Sequence, residues 1–159
     1  MNEQELGQRI IALTTTLYHV SCSLLASEAD REDAVQAAIE KAWRKAATLR
    51  DESRLKPWLV RILVNECYTI LRRRKREISV EELPDAPAPE ETSEPSALGE
   101  AILTLPAELR IPLVLHYMEG FSTREIASAL RCPLGTVLSR MNRGRKRLKA
   151  ILTEVNDDV

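Results

Sequence analysis

The sequence predicts an all-α protein made of two small helical domains joined by a flexible, acidic, Pro-rich linker. Only 4% of the residues are aromatic and only 5 are Gly, while Leu, Ala, Arg, Glu and Ile dominate, which favours helix over sheet. Apolar residues recur at spacings of three and four on both sides of the middle of the chain. The composition changes abruptly over residues 77–97, and 159 residues suffice for two small domains.

The first two helices are predicted over residues 3–26 and from a cap at Asp30 to about Ala47. Each has one apolar stripe that can pack against a core. The stripe of the first helix consists of Ile10, Leu13, Leu17, Val20, Leu24 and Leu25. The stripe of the second consists of Ala34, Val35, Ala38, Ile39, Ala42 and Trp43. Both segments belong to an N-terminal domain that is predicted to cover residues 1–76.

A third helix is predicted from Pro57, a residue suited to the first turn, to residue 76. Residues 49–56 before it are polar and lack periodicity, which predicts a loop. The candidate buried positions of this helix are Trp58, Leu59, Ile62, Leu63, Tyr68 and Leu71. It ends in a run of five cations at 72–76, so the N-terminal domain has a basic end.

Residues 77–97 are predicted to form the linker. They contain seven acids, four prolines and no Lys or Arg, so they cannot bury enough apolar area to offset the entropy of ordering. The formal charge is +4 over residues 1–76 and +5 over residues 98–152. Two basic domains separated by an acidic connector indicate a polyanionic partner.

The C-terminal domain, residues 98–152, is predicted to hold four helices and to precede an acidic tail at 153–159. The expected helices cover residues 97–103, 106–119, 123–130 and 134–152. The last two are joined by a turn of three residues, 131–133, in which Pro133 interrupts the helical pattern.

These last two helices have the sequence pattern of a helix-turn-helix. Gly120 can end the preceding helix in a left-handed conformation, and Ser122 with Glu125 forms a capping box that starts the next one. The positions expected to face inward are Ile126, Ala127, Leu130, Val137 and Met141. Two short helices across a tight turn form a DNA-binding unit whose second helix enters the major groove.

The second helix of the unit carries side chains suited to DNA. Arg and Asn can read base edges through paired hydrogen bonds, and Ser and Thr can hold phosphates or base edges. The exposed positions expected early in that helix are Gly135, Thr136, Leu138, Ser139, Arg140, Asn142 and Arg143. The cations expected on the phosphate backbone are Arg143, Arg145, Lys146, Arg147 and Lys149.

Other classes of protein lack support in the sequence. Cys22, Cys67 and Cys132 are far apart and lack zinc-ligand spacing with His19 or His116, which indicates free thiols of a reducing cytoplasm. We find no nucleophile–base pair and no phosphate-cradling Gly loop, so no catalytic residue, metal or cofactor is expected. No signal peptide and no membrane insertion are expected either.

The C-terminal domain resembles the fourth conserved region of bacterial RNA polymerase sigma factors of the extracytoplasmic-function (ECF) type, in the sigma-70 family. The resemblance rests on residues 105–110, 117–122, 125–127 and 132–140. In that family this region binds the minus-thirty-five promoter element. The residues that the resemblance and the helix geometry together assign to this element are Thr136, Leu138, Ser139, Arg140, Asn142, Arg143, Arg145 and Lys146.

The N-terminal domain resembles the second conserved region of the same family. Residues 30–36 with Ala42 and Trp43 resemble the helix that docks on core RNA polymerase. The implied polymerase-binding residues are Asp33, Gln36 and Glu40. Residues 55–62, Asn65 and 71–74 resemble the part that melts and holds the minus-ten element. The implied minus-ten residues are Ser53, Lys56, Arg61, Asn65, Arg72 and Arg73.

The resemblance implies a non-catalytic, cytoplasmic subunit whose partners are core RNA polymerase, promoter DNA and an anti-sigma factor. Three positions depart from the family pattern. Ala37 stands where an acid is usual, Thr69 replaces a common Asp, and Leu138 replaces a common Lys of the recognition helix. The substitution at Leu138 removes an expected phosphate contact.

Two other functions stay open on the residues alone. One is an autonomous helix-turn-helix regulator, with an N-terminal dimerisation or sensing domain, that binds a two-fold symmetric duplex site without polymerase. The other is a protein-binding adaptor that has lost DNA recognition, which only Ala37 and Leu138 support.

Overall fold

The computed structural model describes residues 2–77 and 97–157, and every regular element in these two ranges is helical. The all-α prediction is confirmed. The predicted linker lies outside the described residues except at its two ends, Glu77 and Ala97, which belong to helices. Among the helices described, none is both long and apolar enough to cross a membrane.

The N-terminal lobe holds four α-helices. They are α1 (Glu3–Ala12), α2 (Thr14–Cys22), α3 (Glu28–Arg44) and α4 (Leu55–Glu77). Short 3-10 turns at Ala46–Thr48 and Glu52–Arg54 lie between α3 and α4. The single helix predicted over 3–26 is therefore wrong, because the chain breaks at Leu13, whose N–H bonds to the carbonyls of Arg9 and Ile10.

The start and the end of α3 also differ from the prediction. Ser27, not Asp30, caps the helix, and its hydroxyl accepts a hydrogen bond from the backbone N–H of Asp30. Trp43, predicted to be buried, is 43% exposed. Its ring instead lies against Gly7 of α1, where an added Cβ would come within 3.2 Å of the ring.

Helix α4 is the centre of the N-terminal lobe. It begins at Leu55 rather than Pro57, so Pro57 lies in its first turn, where its missing N–H costs no helical hydrogen bond. Leu59 and Leu63 are fully buried along its inner face. Cys67 lies on the same face, and burial raises the pKa of its thiol to about 12.

Two ion pairs hold α3 antiparallel to α4. Arg74 donates to both carboxylate oxygens of Asp30, at 2.7 and 2.8 Å, and Lys41 pairs with Glu66. The exposed face of α3 is thereby fixed relative to the exposed end of α4.

The C-terminal lobe also holds four α-helices. They are α5 (Ala97–Leu103), α6 (Ala107–Tyr117), α7 (Thr123–Leu130) and α8 (Leu134–Asp157). The predicted end of the last helix at residue 152 is wrong, because α8 continues through the first acidic residues of the tail to Asp157. Helix α8 crosses α6 closely at Gly144, where an added Cβ would lie 2.7 Å from Leu113 Cδ1.

The helix-turn-helix prediction is confirmed in its local details. Glu125 N–H donates to the Ser122 hydroxyl at 3.1 Å, and Ser122 N–H donates to the Glu125 carboxylate at 2.9 Å. Gly120 has φ of 73° and Arg131 has φ of 53°, so left-handed residues end both α6 and α7. Val137 and Met141 of α8 are fully buried, on the side of the helix that packs against α6 and α7.

The two lobes lie against each other. Helix α4 packs on α7, and α2 meets α6. We refer to this placement of the lobes as the closed arrangement.

Candidate nucleic-acid interface

The outer face of α8 presents polar and cationic side chains to solvent. The opposite face is buried against α6 and α7, as the burial of Met141 and Leu148 indicates. The exposed candidates on the outer face are Ser139, Asn142, Arg143 and Lys146. Thr136 is half-buried, and Leu138 is 47% exposed, an apolar side chain next to this polar face. The outer face has the donors and acceptors that a major groove requires.

Arg145 lies on the flank of α8 and has a partner within the lobe. Its Nε donates to the Tyr117 hydroxyl at 2.9 Å, and its guanidinium lies 5.9 Å from the centre of the Tyr117 ring. This hydrogen bond orients the guanidinium but occupies one of its five donors.

The end of α4 carries a second exposed cationic surface. Arg72 and Arg73 are exposed, and Arg72 donates to the Thr69 hydroxyl at 3.4 Å. Arg74 differs because it is paired with Asp30. Two of these three neighbouring arginines therefore point to solvent, and the third connects two helices.

Ser53 lies in the 3-10 turn before α4. Its backbone N–H and its hydroxyl both donate to Asp51 Oδ1, at 3.0 and 2.7 Å. These hydrogen bonds lower the pKa of Asp51. The segment predicted to be an irregular loop is therefore ordered by Asp51, and Ser53 is exposed beside it.

Lys56 contacts the C-terminal lobe. Its ammonium group donates to the backbone carbonyl of Glu119 at 3.1 Å and lies 4.8 Å from the centre of the Phe121 ring. The Glu119 carboxylate is 3.5 Å from His19 Nδ1, and burial raises the pKa of Glu119. These groups form a polar junction between the lobes.

Arg61 and Asn65 also face the C-terminal lobe. Together with Arg131 and Arg140 they line a cavity of about 160 Å³ between α4 and the helix-turn-helix. We call this space the interlobe cavity. It brings one residue predicted for the minus-thirty-five element close to two residues predicted for the minus-ten element.

The candidate polymerase-binding residues lie on the exposed face of α3, with Gln36 Nε2 3.4 Å from Glu40 Oε1. Asp33 is exposed on the preceding turn. Gln36 and Glu40 border an open, mostly apolar groove of about 500 Å³ between α2 and α3. Val35 and Ile39 form part of its wall, so polar and apolar groups are presented together.

Sequence reasoning missed His19 and Glu119 at the junction and Arg131 at the interlobe cavity. The segments that they face are distant in the chain; Lys56 and Glu119, for example, are separated by 63 positions. No periodicity or capping signal reports such contacts. In the sequence, the left-handed conformation of Arg131 is indicated only by the three-residue break before α8.

The chain matches two models of known protein families. Residues 11–77 match sigma-70 region 2, and residues 96–148 match sigma-70 region 4. The ECF RNA polymerase sigma factor SigM of Mycobacterium tuberculosis is 36% identical over 135 residues, which cover 82% of this chain and 68% of SigM. The ECF RNA polymerase sigma-E factor of Escherichia coli is 33% identical over 137 residues, which cover 75% of this chain and 72% of the relative.

A similar solved structure is that of the sigma factor RpoE from Bartonella quintana, in complex with the anti-sigma factor NepR. It superposes with a TM-score of 0.80 at 31% sequence identity. The match covers 94% of this chain and 98% of RpoE, so it extends over both lobes.

Proposed function

Since this chain belongs to the ECF family of RNA polymerase sigma factors, we propose that it binds core RNA polymerase and directs transcription initiation at specific promoters. The observation that carries the proposal is the pair of exposed cationic surfaces, one on α8 and one at the end of α4. Each lies in a lobe that matches a different sigma-70 region. A protein with one surface that binds duplex DNA and another that lies near the melted strand can both recognise and open a promoter.

The C-terminal lobe, residues 98–152, is proposed to bind the minus-thirty-five element as duplex. The outer face of α8 would lie in the major groove, with Asn142 and Arg143 near base edges and Lys146 near phosphates. A single small lobe with few phosphate contacts would bind DNA weakly by itself. Polymerase is therefore expected to supply most of the promoter affinity.

The N-terminal lobe, residues 1–76, is proposed to dock on polymerase through α3 and to hold the minus-ten element along α4. Ser53 and Arg73 are exposed and accessible to a DNA strand. Lys56, Arg61 and Asn65 face the C-terminal lobe in the closed arrangement. Lys56 and Arg61 are half-buried there, so the lobes would have to separate before these two side chains could fully reach DNA, whereas Asn65 is already exposed.

This function is non-catalytic, because the polymerase performs the chemistry, and it places the protein in the cytoplasm with the chromosome. An anti-sigma factor is proposed as a further partner, since the Bartonella RpoE was solved with one. The apolar groove between α2 and α3 offers an exposed surface for either protein partner.

The proposal is tested by reconstituting holoenzyme from core polymerase and the full chain and mapping initiation sites on genomic DNA. We expect initiation at a defined set of sites that core polymerase alone does not use. Substituting Arg143 by Ala should reduce initiation at these sites without reducing polymerase binding. Substituting Asp33 and Gln36 together by Ala should reduce polymerase binding itself.

If core polymerase neither binds the chain nor initiates with it, the proposal is wrong. Tight binding of the isolated chain to a two-fold symmetric duplex would instead support the autonomous regulator.

A further inference from the structure

Three guanidinium groups from separate segments converge on the interlobe cavity. Arg61 comes from α4, Arg131 from the turn after α7, and Arg140 from α8. The cavity of about 160 Å³ is therefore walled by cations from both lobes.

The rest of the lining combines neutral hydrogen-bonding groups with apolar side chains of Val64, Ile111, Ala129 and Leu130. The side chains of Asn65 and Tyr68 reach the cavity from α4, and burial raises the pKa of the Tyr68 hydroxyl, which keeps it a neutral donor. Within the described residues, Glu108 is the one carboxylate on the lining. Three positive charges and one negative charge leave the cavity with an excess of positive charge.

The three arginines are not paired with the Glu108 carboxylate or with any other described side chain. In the part of the chain that the structure describes, none of them has an ion pair or a side-chain hydrogen bond. Arg61 is half-buried, and its pKa is lowered first by burial and then by the charge of Arg131. Like charges held together at a partly enclosed site cost free energy that a bound anion would offset.

We propose that the interlobe cavity is a binding site for a small phosphate-bearing anion, held by Arg61, Arg131 and Arg140. Guanidinium groups bind phosphate through paired hydrogen bonds, and three of them from different directions match the tetrahedral arrangement of its oxygens. Asn65 and Tyr68 add donors at the wall.

The bound anion joins the two lobes. A ligand that binds only when the lobes are together stabilises the closed arrangement by its own binding free energy. This consequence rests on the proposed function, in which Arg61, Asn65 and Arg140 contact promoter DNA. The anion and the DNA phosphates then compete for Arg61 and Arg140, so the small anion holds the factor in the form whose minus-ten surface on α4 is covered.

Pyrophosphate titrated into the full chain and followed by calorimetry tests the binding step. Ionic strength is held constant with NaCl, because screening alone alters surface binding. We expect one site per chain in the wild type and binding weakened at least about tenfold by Arg131→Asn. Asn tolerates the left-handed backbone of residue 131, so the helix-turn-helix should keep its fold, which circular dichroism checks.

Arg124→Asn is the matched control. Arg124 is exposed on α7, the helix that Arg131 follows, but does not line the cavity, so this variant loses the same charge and should bind pyrophosphate like the wild type. Absence of binding to the wild type, or equal weakening in both variants, would overturn the proposal. Equal weakening would mean that only net charge matters.

Small-angle X-ray scattering of the full chain tests the coupling to the closed arrangement. Pyrophosphate should reduce the radius of gyration of the wild type and of Arg124→Asn but not of Arg131→Asn. An unchanged radius in all three would overturn the coupling. A nucleoside diphosphate and inorganic phosphate are run in parallel, and tighter binding of the diphosphate would identify a nucleotide as the source of the phosphate group.

Transcription with pyrophosphatase present, which removes the pyrophosphate that each nucleotide addition releases, separates this inference from the proposed function. Arg131 is not among the proposed DNA contacts, so Arg131→Asn holoenzyme should initiate like the wild type. Failure of the wild-type holoenzyme would refute the proposed function, whereas failure of pyrophosphate binding would refute only the anion site.

Discussion

Helices α4 and α8 carry the same kind of chemistry but present it differently. On α8, the outer face with Asn142, Arg143 and Lys146 is open to solvent. On α4, Lys56 and Arg61 are half-buried against the C-terminal lobe, whereas Asn65, at the rim of the interlobe cavity, and the arginines near the end of the helix are exposed. The closed arrangement therefore leaves one of the two proposed DNA-binding surfaces available and covers part of the other.

This difference suggests a sequence of events. The surface proposed for duplex DNA is ready before polymerase binds, while the surface proposed for the melted strand becomes available when the lobes separate. Since melting is useful only on polymerase, covering α4 in the free chain would suppress unproductive contact with DNA.

Phe121→Ala should give the largest change. Phe121 is 1% exposed and lies beneath the ammonium group of Lys56, so its removal should cost about 3–5 kcal/mol and loosen the junction. Hydrogen exchange should show lost protection in the C-terminal lobe and retained protection along α4. Phe121→Leu, a milder change that should cost less than about 1.5 kcal/mol, is the control. Equal loss of protection in both lobes would mean that they unfold as one unit, and the contrast between them would fail.

Arg143→Ala should weaken promoter binding by holoenzyme by about 1–3 kcal/mol, the usual worth of a good base contact. Electrophoretic mobility shift at fixed salt measures the effect. Lys149→Ala is the control for general positive charge, because Lys149 is expected only on the phosphate backbone and lies on another flank of α8, beside Leu152 and Tyr117. If both variants weaken binding equally, α8 contributes only general positive charge.

Arg73 and Arg74 form a matched pair on α4. Arg74→Ala breaks the ion pair with Asp30 and should reduce the free energy of unfolding by roughly 1 kcal/mol or less, since Arg74 is partly exposed. Arg73→Ala should leave stability unchanged and reduce promoter opening, measured by permanganate reactivity of unpaired thymines. The reverse pattern would show that the exposed arginine is structural and the paired one functional.

The closed arrangement should depend on pH through Glu119. Burial raises the pKa of this carboxyl when the lobes are together, so closing favours its protonated form. The closed arrangement should become more stable as the pH falls toward the ordinary pKa of a Glu side chain, and less stable as the pH rises through the raised pKa of Glu119. The expected change in the ratio of closed to open chains is a few-fold. Scattering at about pH 5 and pH 8 measures it.

Glu119→Gln should remain compact at both pH values. His19→Gln is a useful second variant, because His19 and Lys56 are the charged groups that oppose the raised pKa of Glu119. A pH response that is undiminished in Glu119→Gln would assign the dependence to another group.

Tyr117→Phe should have the smallest effect. It removes the hydrogen bond to Arg145 Nε but keeps the ring, and both side chains are exposed, so stability should change by less than about 0.5 kcal/mol. Arg145→Ala should reduce promoter binding more than Tyr117→Phe does. The opposite order would mean that Tyr117, rather than Arg145, contacts DNA.

The sequence was most informative where a residue and its partner are close along the chain. The capping box of Ser122 and Glu125, the left-handed Gly120 and the break before α8 were all predicted, since each signal is a local backbone requirement. The break at Leu13 was missed because the apolar stripe continues through it without Gly or Pro. Trp43 was misjudged because the surface that it covers belongs to a different helix, α1.

The same distinction governs the candidate site. The outward position of Asn142 and Arg143 follows from the inward position of Val137 and Met141, which helical periodicity predicts. Helical periodicity does not predict that Arg140 and Arg61 line the same cavity, because that depends on how the two lobes pack together. The DNA and polymerase contacts of the individual residues stay predictions.

The local character of the helix-turn-helix also bears on how the molecule assembles. Its defining contacts join residues three to five positions apart, whereas the Lys56–Glu119 contact must close a loop of 63 positions. Contacts of low sequence separation form fastest, and domains emerge from the ribosome in order. We therefore expect each lobe to fold as it is synthesised and the junction between them to form last, after translation has passed residue 121. A nascent chain would thus expose α4 for a short time before the completed C-terminal lobe covers it.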